Sequence, residues 1–349
     1  MAYRMNEKIR HLVPYQPISG NFRIRMDANE SFFPPGKELL EKIGSAVRSV
    51  PLNRYPDPYA LESCRAFAGF YGCRPENVVA GNGSDELIAL ISEAFSMKGE
   101  KILTFSPDFS MYSFYGRICE TENIVYRKEE DLSVDVDRVI RLARENGARM
   151  LLFSNPCNPT GKGLRRDEVR KLIRSVDALV VLDEAYMDFW DQSLIGEADR
   201  YDNLILLRTC SKAFGLAGIR LGFAVANEEL ARALRAVKSP YNVNAMTQAA
   251  GAAVLGERLL LQSRTRAIVR SREELYRALR ALEKGRETEL RVYPTVTNFV
   301  LLRTDRAEEF HRRLLENGIS VRLFDGFLRV TAGSERENAE FIKAFGAML

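Results

Sequence analysis

The 349-residue sequence is short of several things that would have assigned it elsewhere. No window approaches eighteen apolar residues, so no membrane-spanning helix is expected. The first ten residues alternate charged and polar side chains without an apolar core, which gives no sign of a secretory leader and leads us to expect a cytoplasmic protein. Histidine occurs twice, at His11 and His311, far apart. The five cysteines, Cys64, Cys73, Cys119, Cys157 and Cys210, form no C-x-x-C pair. Neither a metal site nor a disulfide framework is expected, and a reducing compartment is. Lys and Arg total 51 against 47 Asp and Glu, with the signs interspersed and no basic run, so a nucleic-acid partner is not expected. Internal repeats and low-complexity segments are absent as well. What remains, 46% hydrophobic and 28% charged, is a chain with room for a large core and two lobes.

Between about residues 78 and 225, short apolar runs alternate with helical patterns. Strands are predicted at 78–80, 101–105, 123–126, 150–154, 178–182, 204–208 and 221–226, with helices at 85–95, 137–146 and 166–176. Apolar strands separated by helices imply an α/β domain around a largely parallel sheet covered on both faces. Beyond Pro240 the texture turns helical, at 245–255 and in an Arg/Glu-rich run from about 259 to 282 that is long enough to bridge two lobes. Apolar segments at 298–303, 319–323 and 327–331 then suggest a small α+β lobe. The first forty or so residues have few periodic elements and are expected to pack on that lobe or on a neighbouring subunit.

In an open α/β sheet, ligands gather outside the carboxyl ends of the strands. Four polar clusters fall at such places. Gly81-Asn82-Gly83-Ser84-Asp85-Glu86 follows one strand and opens a helix, whose free N–H groups suit a phosphate. Asn155-Pro156-Cys157-Asn158-Pro159-Thr160-Gly161 follows another, and its two X-Pro steps predict an extended, rigid turn that fixes the Asn158 amide. Asp183-Glu184-Ala185-Tyr186 puts a carboxylate at the end of a buried strand, where a partner or a function is needed. The fourth, running from Arg208 to Arg220, gathers Thr209, Ser211, Lys212 and Arg220 in a glycine-containing loop. Each also has a structural reading: an unoccupied loop, a rigid turn, a helix N-cap, a solvated lysine.

Together they match the four requirements of a pyridoxal-phosphate site. Lys212 supplies the amine that takes the cofactor as a Schiff base. Asp183 faces the pyridine nitrogen, Asn158 and Tyr186 can serve the phenolic oxygen, and Ser84, Asp85, Thr209, Ser211 and Arg220 can share the phosphate. A catalytic lysine needs its pKa lowered by burial or a nearby cation, and Arg220 is the candidate. Tyr112 either stacks on the cofactor ring or is an ordinary core aromatic.

With these residues the sequence resembles the fold-type I pyridoxal-phosphate-dependent aminotransferases and, within them, the histidinol-phosphate aminotransferase subfamily. The likeness runs nearly end to end: Val13-Pro14-Tyr15-Gln16, Asp27-Ala28-Asn29-Glu30, Arg54-Tyr55-Pro56-Asp57-Pro58, Gly83-Ser84-Asp85-Glu86, residues 155–161, Asp183-Glu184-Ala185-Tyr186, Ser211-Lys212-Ala213-Phe214 with Arg220, Thr297-Asn298-Phe299 and Gly318-Ile319-Ser320-Val321-Arg322. The resemblance implies an α/β fold. A large cofactor-binding domain at 45–262 would surround a mostly parallel seven-stranded sheet, and a smaller α+β domain would comprise 1–44 plus 263–349. It implies a homodimer with shared active sites, in which Tyr55 reaches the partner's cofactor phosphate. Arg329 would grip the substrate's anionic group and Arg322 add a second cation when that group is a phosphate, with Tyr15 and Asn29 also on the substrate side. The implied reaction exchanges an amino group between L-histidinol phosphate and 2-oxoglutarate, giving imidazole acetol phosphate and glutamate in histidine biosynthesis.

Three departures stand out: Cys157 in place of a more usual asparagine, Asp108-Phe109 in place of Thr-Tyr, and a short stretch between Arg322 and Arg329. The last bears on the substrate, because that stretch shapes the pocket. A threonine-phosphate decarboxylase and an aromatic amino acid aminotransferase are the alternatives on the same scaffold. The intact lysine, aspartate and asparagine set argues against a non-catalytic binding or regulatory protein.

Overall fold

A computed structural model describes residues 3–10, 12–14, 16, 18–283 and 289–349. Among the described residues the strands are β1 (Ile24–Met26), β2 (Val78–Gly81), β3 (Lys101–Ser106), β4 (Glu122–Arg127), β5 (Met150–Ser154), β6 (Leu179–Asp183), β7 (Leu204–Thr209), β8 (Gly222–Ala226), β9 (Leu290–Val292), β10 (Phe299–Thr304), β11 (Ile319–Phe324) and β12 (Phe327–Thr331).

β2 to β8 form one sheet in the order β2-β8-β7-β6-β5-β3-β4. β4, β3, β5, β6 and β7 run parallel, and β8 runs against both its neighbours. This is the mostly parallel seven-stranded sheet expected from the sequence. Its central strands are apolar over 150–153, 179–182 and 204–207 because both faces are covered there, and successive residues feed different cores. Leu151, Phe153, Val180, Leu182, Leu204 and Leu206 pack on one face. Met150, Leu152, Val181, Ile205 and Leu207 pack on the other. Each such side chain contributes roughly 1.5–3 kcal/mol on burial.

The covering helices carry their own signals. Over Val136–Asn146 the buried positions are Val136, Val139, Ile140 and Ala143, a spacing that lines one helical face. Asp135 caps the start by accepting from the Arg138 N–H, and Gly147, at φ 63°, ends it in the left-handed conformation glycine tolerates best.

The second sheet has the order β1-β11-β12-β10-β9. Its apolar side chains form a separate core with Phe310, Phe341 and Phe345 from helices Ala307–Glu316 and Glu335–Gly346. β1 and β9 were not anticipated, since three residues cannot display an alternation. β1 matters most: it joins the N-terminal segment to this sheet by pairing parallel with β11. The 25-residue helix Arg258–Leu282 serves both cores, with Leu261 and Ile268 in the first and Leu275 and Leu279 in the second. The expected domain boundary at 262/263 falls inside it.

Candidate active site

The carboxyl ends of β3, β5, β6 and β7 face one edge of the large sheet. β3 and β5 are neighbours there although β4 separates them in sequence, and such a switch leaves a crevice. Asp183 ends β6 with its carboxyl buried. One oxygen accepts from the Ala185 N–H at 2.9 Å and the other from the Tyr112 hydroxyl at 2.8 Å. Burial pushes this carboxyl up to about 7, against the pull of the Tyr112 and Ala185 hydrogen bonds. A cation placed against it, such as the protonated ring nitrogen expected from the sequence, would draw it toward the charged form. Tyr112 is itself buried and held as the neutral phenol. Its hydroxyl serves Asp183, a contact the sequence did not suggest. Phe109, half-buried and edge-on to Tyr112 at 5.5 Å between centroids, is a neighbouring aromatic that the sequence marked only as a departure, without a role.

The next group forms around the start of helix Gly83–Phe95. Thr209 and Ser211 sit 3.0 Å apart through their hydroxyls, and the Arg220 guanidinium reaches Ser211 Oγ at 3.4 Å and Asp85 Oδ2 at 3.6 Å. Two glycines make this approach possible. A Cβ at Gly83, which has φ +80°, would meet the Arg220 guanidinium at 2.7 Å, and one at Gly222 would lie 2.5 Å from the Ser84 backbone nitrogen. Hydroxyls, a guanidinium and a helix N-terminus converge here, a donor set suited to a phosphate.

Lys212 lies across from this corner. Its Nζ donates to the Ala28 carbonyl at 3.0 Å and sits 6.0 Å from the centre of the Tyr186 ring. The Tyr186 hydroxyl accepts from Asn29 Nδ2 at 2.8 Å, and Asn29, buried with φ 55°, is tied further to Thr331 and Asn298. The turn bearing Asn158 has cis peptide bonds before Pro156 and Pro159 where the sequence suggested a simply extended path. Asn158 Oδ1 accepts from the Arg329 guanidinium, whose other nitrogen donates to the Asp27 carbonyl at 2.6 Å. Arg322 on β11 is the direct cross-strand partner of Arg329 on β12, in a hairpin closed by Asp325 and Gly326. Directly opposed residues share a face, so both guanidinium-bearing side chains leave the hairpin on the same side.

Tyr55 stands apart from this cleft. It is 82% exposed and stacks on Tyr241, centroids 4.6 Å apart. Tyr15 lies outside the described residues. Behind the cleft, Arg208 is buried between Glu184, at 3.1 Å, and Asp188, at 3.0 Å, with Tyr71 donating to Asp188. The sequence placed Glu184 and Arg208 inside the right clusters without showing that they pair, because their separation along the chain carries no periodic signal.

A site with a cleft-side amine, a buried carboxyl that charges against a cation and a polyvalent anion corner fits pyridoxal phosphate. Comparison with known proteins agrees. Residues 23–345 match the family described as aminotransferase class I and II. The histidinol-phosphate aminotransferase of Clostridium kluyveri is 39% identical over 98% of both chains, and that of Thermococcus kodakarensis 41% identical over 97% of both. Among solved structures, histidinol-phosphate aminotransferase from Sinorhizobium meliloti in complex with pyridoxal-5'-phosphate superimposes with a TM-score of 0.87 at 23% identity, covering 99% of this chain and 98% of that one. The chain belongs to the class I and II aminotransferases.

Proposed function

We propose that this chain is a cytoplasmic, homodimeric pyridoxal-phosphate enzyme that transfers the amino group of L-histidinol phosphate to 2-oxoglutarate, yielding imidazole acetol phosphate and glutamate. The register that sets Arg322 opposite Arg329 carries the substrate assignment. Both guanidinium-bearing side chains leave the hairpin on one face, and two cations suit a dianion better than a single carboxylate. Full-length relatives bearing the histidinol-phosphate aminotransferase name support the same choice.

Lys212 would hold the cofactor, Asp183 its ring nitrogen, Asn158 and Tyr186 its phenolic oxygen, and Ser84, Asp85, Thr209, Ser211 and Arg220 its phosphate, with Phe109 or Tyr112 against the ring. Bound pyridoxal phosphate supplies an electron-withdrawing ring that makes the substrate's Cα–H acidic. Lys212 Nζ is the group placed to carry the Cα proton once its amine is free. Asp183, charged beside a protonated ring nitrogen, sustains that withdrawal. Arg329 and Arg322 orient the phosphate end, with Asn29 and Tyr15 on the substrate side. Tyr55, exposed in the single chain, would complete the phosphate site of a second subunit.

Mixing the cofactor-loaded protein with histidinol phosphate alone tests the reading. The yellow absorbance should bleach and return on adding 2-oxoglutarate. A response to phenylalanine only would indicate the aromatic aminotransferase instead. Release of carbon dioxide from threonine phosphate, without need of 2-oxoglutarate, would indicate the decarboxylase.

A further inference from the structure

Directly behind Asn158 lies a buried cluster that amino transfer does not use. Lys128 follows β4, Cys157 sits in the loop after β5, and Asp108 follows β3. Lys128 Nζ lies 2.7 Å from Cys157 Sγ and 3.8 Å from Asp108 Oδ2. The Lys128 and Asp108 side chains are 2% and 1% exposed, and Cys157 is 3% exposed. Lys128 Nζ donates to Cys157 Sγ, and at 2.7 Å the nitrogen and sulfur are as close as an N–H···O pair although sulfur is the larger atom, a separation that one bridging atom also spans. Two of the three departures noted in the sequence, at Cys157 and at Asp108, meet in this cluster. A cavity of about 120 Å³, lined in part by Lys128, Cys157, Ser133, Thr160 and Lys162, adjoins it and is large enough to hold dioxygen.

We propose that Lys128 and Cys157 are an oxidisable pair that dioxygen joins through a covalent N–O–S bridge. The thiol S–H bond and one amine N–H bond break, and S–O and O–N bonds form. Sulfur and nitrogen each give up two electrons. Dioxygen takes all four, leaving one oxygen in the bridge and the other as water with the two displaced hydrogens. Asp108, 3.8 Å away, accepts the additional proton that the Lys128 ammonium must lose to become an amine.

The bridge would fix the Asn158 loop to the end of β4. Asp108 also accepts from Ser154 Oγ, which in turn receives the Asn158 N–H at 3.2 Å, so the cluster adjoins the cofactor face through two routes. This inference does not rest on the identity of the substrate.

Intact-mass spectrometry of the full chain, handled in air or in dithiothreitol, tests it. One oxygen gained and two hydrogens lost add about 14 Da. The gain should reverse with dithiothreitol, map to a cross-linked pair of peptides holding Lys128 and Cys157, and vanish in Cys157→Ser and Lys128→Arg. The wild-type mass alone decides if a variant folds poorly. No mass change in air, or a gain of about 16 or 32 Da on an unlinked Cys157 peptide, overturns the proposal.

Discussion

Removing the Asp183 carboxyl should flatten the pH dependence of the cofactor-free protein's stability. Its folded pKa, about 7, lies above the ordinary 3.8 because burial disfavours the charge. Below about pH 4 the group is protonated in both states and costs nothing. Between there and neutrality the unfolded chain ionises while the folded one does not, so stability falls by about 1.4 kcal/mol for each unit of rising pH. Above neutrality both are charged and the full cost, roughly 4 kcal/mol, persists. Wild type should therefore lose about 3 kcal/mol between pH 5 and pH 8 relative to Asp183→Asn, which titrates in neither state. The difference between the two proteins isolates this carboxyl, since every other group titrates in both. Urea unfolding at fixed protein concentration, followed by fluorescence of Trp190, the single tryptophan, supplies the measurement. Equal pH slopes in the two proteins would refute the burial argument. Loading with pyridoxal phosphate should shrink the wild-type slope, because a cation against Asp183 offsets the cost of its charge.

Lys212→Ala should abolish fixation of the cofactor to the chain by borohydride and lower turnover about a thousandfold or more. Arg322→Ala should raise KM for histidinol phosphate about ten- to a hundredfold with kcat little changed, as expected for loss of a charged hydrogen bond, while histidinol lacking the phosphate should show no such penalty; steady-state kinetics on both substrates checks it. Gly222→Ala drives a Cβ to 2.5 Å from Ser84 N and should weaken cofactor binding about tenfold or more in a spectroscopic titration, besides costing roughly 1–3 kcal/mol of stability. Mixing inactive Tyr55→Ala and Lys212→Ala chains and allowing exchange should restore part of the activity, since a heterodimer regains one complete site; no recovery would mean that each subunit's site is self-contained.

The large sheet was legible because strands buried on both faces must be apolar, as in 150–153, 179–182 and 204–207. The residues at their carboxyl ends were legible because polar groups ending such strands require a reason. What escaped notice was set by contacts between segments far apart in the chain. The hydroxyl of Tyr112 on Asp183 and the Glu184–Arg208 pair each join the neighbourhoods of two strand ends, and the Lys128–Cys157–Asp108 cluster joins three, with no period along the chain to announce the meeting. β1 escaped for a different reason: Ile24, Arg25 and Met26 are too few for a period, and β11 recruits them from almost three hundred residues away.

The same side chains that would meet the cofactor and substrate hold the two sheets together in the free chain. Ala28 follows β1, and its carbonyl takes the Lys212 amine. Arg329, on the second sheet, is shared between the Asp27 carbonyl and the Asn158 side chain beyond β5 of the first. Asn29 spans from Tyr186 to Thr331. Ligand binding therefore cannot simply add contacts to an idle cleft. For Lys212 to carry a proton it must leave Ala28, and for Arg329 to grip an anion it must loosen Asn158, which is then available to the phenolic oxygen. The polar groups released are buried, as Arg329 and Asp27 are, or half-buried, as Lys212 and Asn158 are, and one left without a partner away from water forfeits about 1–3 kcal/mol. A ligand bearing both an amine-reactive centre and an anion replaces those bonds together, whereas one lacking either end leaves the corresponding internal bond in place and Asn158 or Lys212 unreleased. Discrimination against incomplete substrates thus follows from how the empty site satisfies itself.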